Sequence, residues 1–382
     1  MADNNSPLPV NPVKQKRQDE ERQKKKKKRK ITAIVTAVVL LFALFASQYY
    51  NSYGVPFVKD KTAIPVGILV NKQDEQSGAI KQGAVKAIKQ VNQSGGINGI
   101  RVKTIVVNSK TSHLAKDYDK LESKTNCIIY AGIENDFLKK AVSPVMMPEG
   151  KPVNNSNVLR FKYSDAEEAQ ALSEYFTKGA RQYEIGVLLN LDTSLKKYNT
   201  FKADYKKLNG RIKQVEAYGD LDTNFDSQFA RFKNKNIPLV YAPTLERAQL
   251  KAIMASANKY KIAVAAGNQI NDYQNSDLAS CEGITFTNAF VSEGQTSKKI
   301  VSLFGQSRRN HDMILGYDAA RFMIACYRES ASVNIAKTMH RISYNGISNK
   351  YTFDSRGNPQ KIEISIVQMI QGERKQLSKY WI

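Results

Sequence analysis

Histidine and cysteine are scarce in this chain, three of each in 382 residues. The cysteines, Cys127, Cys281 and Cys326, lie far apart and form no C-x-x-C pair. That excludes a zinc ribbon, a dithiol redox site and a disulfide scaffold, and leaves room for one bridge at most. His113, His311 and His340 stand in unrelated contexts, and H-E-x-x-H, G-x-S-x-G and G-x-x-x-x-G-K-[ST] are all missing. The glycine-rich "GGING" beginning at Gly95 lacks the G-x-G-x-x-G spacing of a dinucleotide site. These absences leave catalysis without a foothold, so neither an enzyme nor a bound cofactor or metal is expected.

Acidic residues are also in short supply, and the formal net charge is +23. Its distribution matters more than its total. Residues 1–30 carry eleven Lys/Arg against four acids and end in "KKKKKRK", Lys24 to Lys30. The rest of the excess is spread thinly, as on a solvated surface, and does not call for nucleic acid.

The next stretch, "ITAIVTAVVLLFALFASQYY" from Ile31 to Tyr50, has no charged side chain. Twenty helical residues at ~1.5 Å each cross a hydrocarbon core of about 30 Å. The basic run marks its N-terminal side as cytoplasmic, and Tyr49, Tyr50 and Tyr53 suit the far interface. The organisation expected is a cytoplasmic tail (1–30), one transmembrane helix (31–50), a linker (51–60) and a large extracytoplasmic domain (61–382). A cleaved signal peptide is the alternative; the long charged region and the lack of a small-x-small site speak against it.

From Ile64 onward, short apolar runs alternate with amphipathic helical stretches. Strands are expected at Pro65–Val70, Val102–Val107, Cys127–Tyr130, Glu184–Leu189, Arg211–Ala217, Leu239–Tyr241, Ile262–Ala266 and Ile284–Thr287. Helical patterns fall between and after them, near Gly78–Gln93, Leu114–Ser123, Glu167–Gly179, Leu195–Leu208, Asn224–Asn234, Arg247–Tyr260, Thr296–Phe304 and Asp318–Arg328. This alternation predicts an α/β protein with mainly parallel, doubly wound sheets, and there are too many strands for one ordinary sheet. Two lobes are expected. Gly95-Gly96 is placed to close the first helix with positive φ and return the chain as a strand.

Several segments resemble the type I periplasmic binding proteins, especially the branch that binds leucine, isoleucine and valine. "IPVGILV" with "GAIKQGAVKAIKQVNQSGGINGIRVKTIVVN" is similar to that family's first βαβ unit. "VLRFKYSDAEEAQALSEYF", "DLDTNFDSQFARFKNKNIPLVYAP", "LGYDAARFM" and "GISNKYTFDSRGNPQKIEISIVQMIQGE" follow in the family's order, so the resemblance covers Ile64 to Gln371. It implies a cleft between lobe one (about 61–160 and 290–335) and lobe two (about 161–289 and most of 336–382), closing on a small ligand. The resemblance also places ligand contacts. Ser77 falls in the loop after the first strand, Asn135 near the family's ligand-holding serine, and Asn154, Asn155 and Ser156 where a ligand carboxylate is received. In lobe two, Leu195 stands where a tyrosine is usual, with Tyr198 one turn on. Asn268 stands in place of the acid that holds an α-ammonium group, with Asp272 four residues further.

The expected function is therefore a membrane-anchored solute-binding protein that takes a small polar, amino-acid-like ligand, most simply as the receptor of an ABC-type importer. The alternative is a ligand-sensing or scaffolding ectodomain working with a membrane signalling partner. A nucleic-acid partner is not expected.

Overall fold

The computed structural model describes residues 63–382 apart from 134, 274, 279, 290–293, 306–309 and 331–333, together with isolated positions between Gln23 and Leu40. The chain divides into two compact units, Met1–Pro56 and Phe57–Ile382. In the first unit Thr32 and Thr36 are helical, their hydroxyls donating to the carbonyls of Lys28 and Thr32 at 2.9 Å each, and Val38, Val39 and Leu40 stand more than half exposed. No helix among the described residues is long and apolar enough to cross a membrane. Most of the span read at 31–50 lies outside the described residues.

The second unit is built on two sheets. Strands β1 (Ala63–Asn71), β2 (Arg101–Ser109), β3 (Cys127–Ala131), β4 (Val145–Met147) and β5 (Val158–Arg160) form a parallel sheet in the order β2-β1-β3-β4-β5. Strands β6 (Glu184–Asn190), β7 (Arg211–Tyr218), β8 (Leu239–Ala242), β9 (Ala263–Ala266) and β10 (Thr285–Asn288) repeat that order as β7-β6-β8-β9-β10. The hairpin β13 (Glu363–Ile370) and β14 (Glu373–Trp381) extends the second sheet antiparallel to β10, and β11 (Tyr344–Asn345) pairs with β12 (Lys350–Tyr351) separately. All eight strands read from the sequence are present, and β4, β5, the short pair β11–β12 and the hairpin strands β13 and β14 are additions to them.

Each sheet is covered on both faces, as parallel strands require. On β1, Ile64, Val66, Ile68 and Val70 face a core shared with helices α1 (Ser77–Gln93) and α9 (Asn310–Glu329), while Leu69 faces α2 (Leu114–Glu122). The second sheet lies between α3 (Asp165–Glu174) with α4 (Leu195–Lys207) on one face and α5 (Asp226–Asn234) with α6 (Arg247–Tyr260) on the other. Gly95 and Gly96 both adopt positive φ at the end of α1, as their pairing suggested. In the C-terminal segment, Met339, Tyr351 and Phe353 join the first core, and only the hairpin β13–β14 joins the second sheet.

The lobes also repeat at the level of residues. "VGILVN" at the end of β1 matches "IGVLLN" at the end of β6. In both, the glycine makes room for a helix side chain: a Cβ on Gly67 would stand 2.8 Å from Leu121, and one on Gly186 2.7 Å from Phe232. The closing asparagines, Asn71 and Asn190, are buried, and each accepts from amides of the loop that follows.

Candidate functional site

In each sheet the order reverses beside the central strand, between β1 and β3 and between β6 and β8. Open α/β sheets bind ligands at such switch points, beyond the C-terminal ends of the strands, where the following helices begin. The chain passes between lobes from the C-terminal end of the edge strand β5, through Phe161–Ser164, which joins β5 to α3. This crossing is firmly held. Ser164 and Glu167 form a reciprocal capping box at the start of α3, and Glu167 also receives a bidentate bond from the buried Arg160 at 2.9 and 3.1 Å.

A polar cluster is built against the crossing on the second lobe. Glu168 is 2% exposed, and its carboxylate accepts from Lys197 Nζ at 3.2 Å, from the backbone N–H of Asn268 at 2.6 Å and from the hydroxyl of Thr287. Lys197 Nζ also lies 3.6 Å from Asp165 and 3.4 Å from Asn268 Oδ1. Burial alone would lower the lysine pKa, but the Glu168 and Asp165 carboxylates more than offset it and hold the pKa above its usual value. Tyr163 is buried against Thr287 and Asn268. Burial, with the charge of Glu168 close by, keeps that phenol well above its ordinary pKa.

The residues singled out in the sequence divide four ways. Leu195 starts α4, and Asn268 touches Lys197, so both belong to this cluster's edge; Tyr198, one turn along α4, is half-buried. Asp272 ends the turn Asn268–Asp272, and its side chain lies outside the described residues. Ser77 and Asn135 do lie at the C-terminal edge of the first sheet but are spent on the fold. The Ser77 hydroxyl donates to the carbonyl of Ala131 at 2.5 Å, and the Asn135 amide donates to that of Lys151 at 2.7 Å. Asn154, Asn155 and Ser156 require a correction. They precede β5 at the opposite edge of the sheet, where Asn157 accepts from the first residue of β4 at 2.7 Å. There the Asn155 amide donates to Leu138 and Ala141 carbonyls at 3.0 and 2.8 Å, and the Ser156 carbonyl meets His340 Nε2 at 2.8 Å. They knit loops together, as asparagines in turns commonly do.

Tyr163, Glu168, Lys197 and Thr287 were not read as site residues. Lys197 had a legible signal: a cation in the first turn of a helix opposes the helix dipole and needs a reason to be there. Cys127, Cys281 and Cys326 are buried and form no disulfide with one another.

No family model matches the sequence, and no curated protein does. Solved structures match the fold. A type 1 periplasmic binding protein from Bordetella pertussis has a TM-score of 0.63 at 17% identity, covering 85% of this chain and all of that one. This is the fold of the type I periplasmic binding proteins. A branched-chain amino acid transporter substrate-binding protein from Streptococcus pneumoniae, in complex with isoleucine, aligns at a TM-score of 0.65 and 15% identity over 84% of this chain and 99% of that one. A solute-binding protein from R. palustris, in complex with benzoate, aligns at 0.63 and 14% over 84% and 97%. The Glu168–Lys197 cluster sits at the C-terminal strand edge of the second lobe.

Proposed function

We propose that the chain is an extracytoplasmic binding protein, tethered by the apolar span 31–50, that closes its two lobes on a small ligand and serves as the receptor of an ABC-type importer. The observation that carries this reading is the cluster Tyr163, Glu168, Lys197, Asn268 and Thr287, set at the C-terminal strand edge beside the segment that joins the lobes. The solved relatives that bind isoleucine and benzoate support small solutes as the cargo. The tether is supported by the basic tail beside a charge-free stretch and by the bare apolar side chains at Val38, Val39 and Leu40.

The test is a thermal-shift screen of the full chain against small metabolites. A ligand at about 100 times its Kd stabilises the native state by about 2.7 kcal/mol. Small-angle scattering should then show the radius of gyration falling on binding. A proven ligand that leaves the radius unchanged would sink the closing motion, and protease treatment of intact cells that spares the large domain would sink the topology.

A further inference from the structure

Helices α3 and α4 both begin at the C-terminal strand edge of lobe two, yet their starts are finished differently. The start of α3 is sealed by its own capping box and carries Asp165, Glu167 and Glu168 in its first turn. The start of α4 has no side-chain cap and no acid; its first turn carries Lys196 and Lys197. Ahead of it, the Asn190 side chain takes the amides of Asp192 and Thr193 at 2.9 and 3.2 Å, which fixes the turn without reaching the amides of Leu195 to Lys197. Ser194, from which the helix starts, is 0% exposed, and its hydroxyl has no partner. An open helix start and a buried unpaired hydroxyl are donors for an anion, and the ammonium of Lys197 beside them is held in place by Glu168, Asp165 and Asn268.

The surroundings narrow the anion further. Leu191 and Leu195 flank the helix start and are 60% and 55% exposed, which suits an apolar body beyond the charged end. The carboxylates of the cluster, Glu168 and Asp165, already face Lys197. The other acid of the turn, Asp192, is exposed. An α-ammonium group entering here would meet a resident ammonium in the place a partner acid should occupy, and an unpaired cation is costly in a closing cleft.

We infer that the start of α4 is an anion subsite and that the ligand is a small apolar carboxylate without an α-ammonium group. This rests on the binding function proposed above and names its ligand class. The test is calorimetry on the full chain with four probes: leucine, isocaproate (leucine without its amino group), isoamylamine (leucine without its carboxyl group) and inorganic phosphate. Isocaproate should bind saturably and more tightly than leucine, and isoamylamine should not bind. Leu195→Glu puts a carboxylate at an exposed first-turn position where helices favour one, so it should fold normally yet weaken isocaproate about tenfold or more. Lys197→Gln should weaken it in the same direction. Leucine binding as tightly as isocaproate and ignoring Leu195→Glu would overturn the subsite and leave the binding function standing. Phosphate binding in place of any carboxylate would overturn the ligand class. So would a hit from the metabolite screen that Leu195→Glu leaves untouched. A chain that binds none of the probes and nothing in that screen would instead sink the binding function itself.

Discussion

The two lobes begin with the same words and end them differently. After "VGILVN" the first lobe reaches the buried Ser77 at the start of α1, and after "IGVLLN" the second reaches the buried Ser194 at the start of α4. Ser77 donates to the end of β3, whereas Ser194 donates to nothing. The first lobe also spends Asn135 on Lys151, and the Asp74 carboxylate accepts from the amide of Ile133 at 2.8 Å. Its edge is closed by its own hydrogen bonds. The second lobe leaves the Ser194 hydroxyl without a partner.

The comparison breaks most completely if the lobes are uncoupled. Arg160, at the end of β5 in lobe one, is 3% exposed, and its bidentate partner Glu167 belongs to α3 in lobe two. Glu167→Ala leaves that guanidinium buried without its carboxylate and removes the capping box as well. A loss of about 3–5 kcal/mol is expected, read as a lower denaturant midpoint. A loss below 1 kcal/mol would show that the crossing does not depend on this clamp.

A second contrast lies between two buried carboxylates. Glu168 in lobe two has an ammonium partner, whereas Asp318 on α9 accepts from three neutral donors, the amides of Ile347 and Ser348 at 2.8 Å each and the Ser348 hydroxyl at 2.6 Å. Burial nonetheless pushes the Asp318 carboxyl up to about 6. Because the folded pKa lies above the unfolded value of about 3.9, the folded state holds the extra proton between those values. Stability contributed by this residue is therefore present below about pH 4 and lost as pH rises to about 6, by about 3 kcal/mol in total. Denaturant midpoints across that range should fall more steeply in the wild type than in Asp318→Asn, and parallel slopes would refute the assignment.

Much of this frame was legible. The runs Ile64–Val70 and Ile185–Leu189 are almost wholly apolar, as central parallel strands buried on both faces must be. Strands β4 and β5, of three residues each, are too short to carry a period, and they escaped. The helix expected from Asp318 begins at Asn310, because Ile314 to Tyr317 are all buried and show no amphipathic stripe. The site was less legible. Nothing local distinguishes Ser77 from Ser194, since the difference is a carbonyl 54 positions downstream of Ser77. Asn154 to Ser156 failed for the opposite reason: asparagine suits a turn as well as a ligand, and only the strand ends reveal which edge the turn occupies.

The repeated glycines give a smaller and sharper test. Alanine at Gly67 would press on the flexible end of Leu121, whereas alanine at Gly186 would press on the ring of Phe232. Overpacking costs about 1–3 kcal/mol, and Gly186→Ala should lie nearer the upper end because an aromatic ring cannot fold aside. Equal costs in the denaturation of the two variants would show that the second core yields as readily as the first.

The smallest effect bears most directly on the open edge. Ser77→Ala removes a buried hydroxyl that donates to the Ala131 carbonyl and leaves that carbonyl without this donor. The expected cost is about 1 kcal/mol. Ser194→Ala removes an equally buried hydroxyl that donates to no group in the protein, so an unmet polar atom disappears with it. The ligand-free chain should then be unchanged or slightly more stable. The two substitutions are chemically identical and both fall at a helix start, Ser77 as the first residue of α1 and Ser194 just ahead of α4, so the difference between them bears chiefly on the hydrogen bond. If both variants lose stability equally, Ser194 has a partner within the native fold, and the second lobe is closed in the same way as the first.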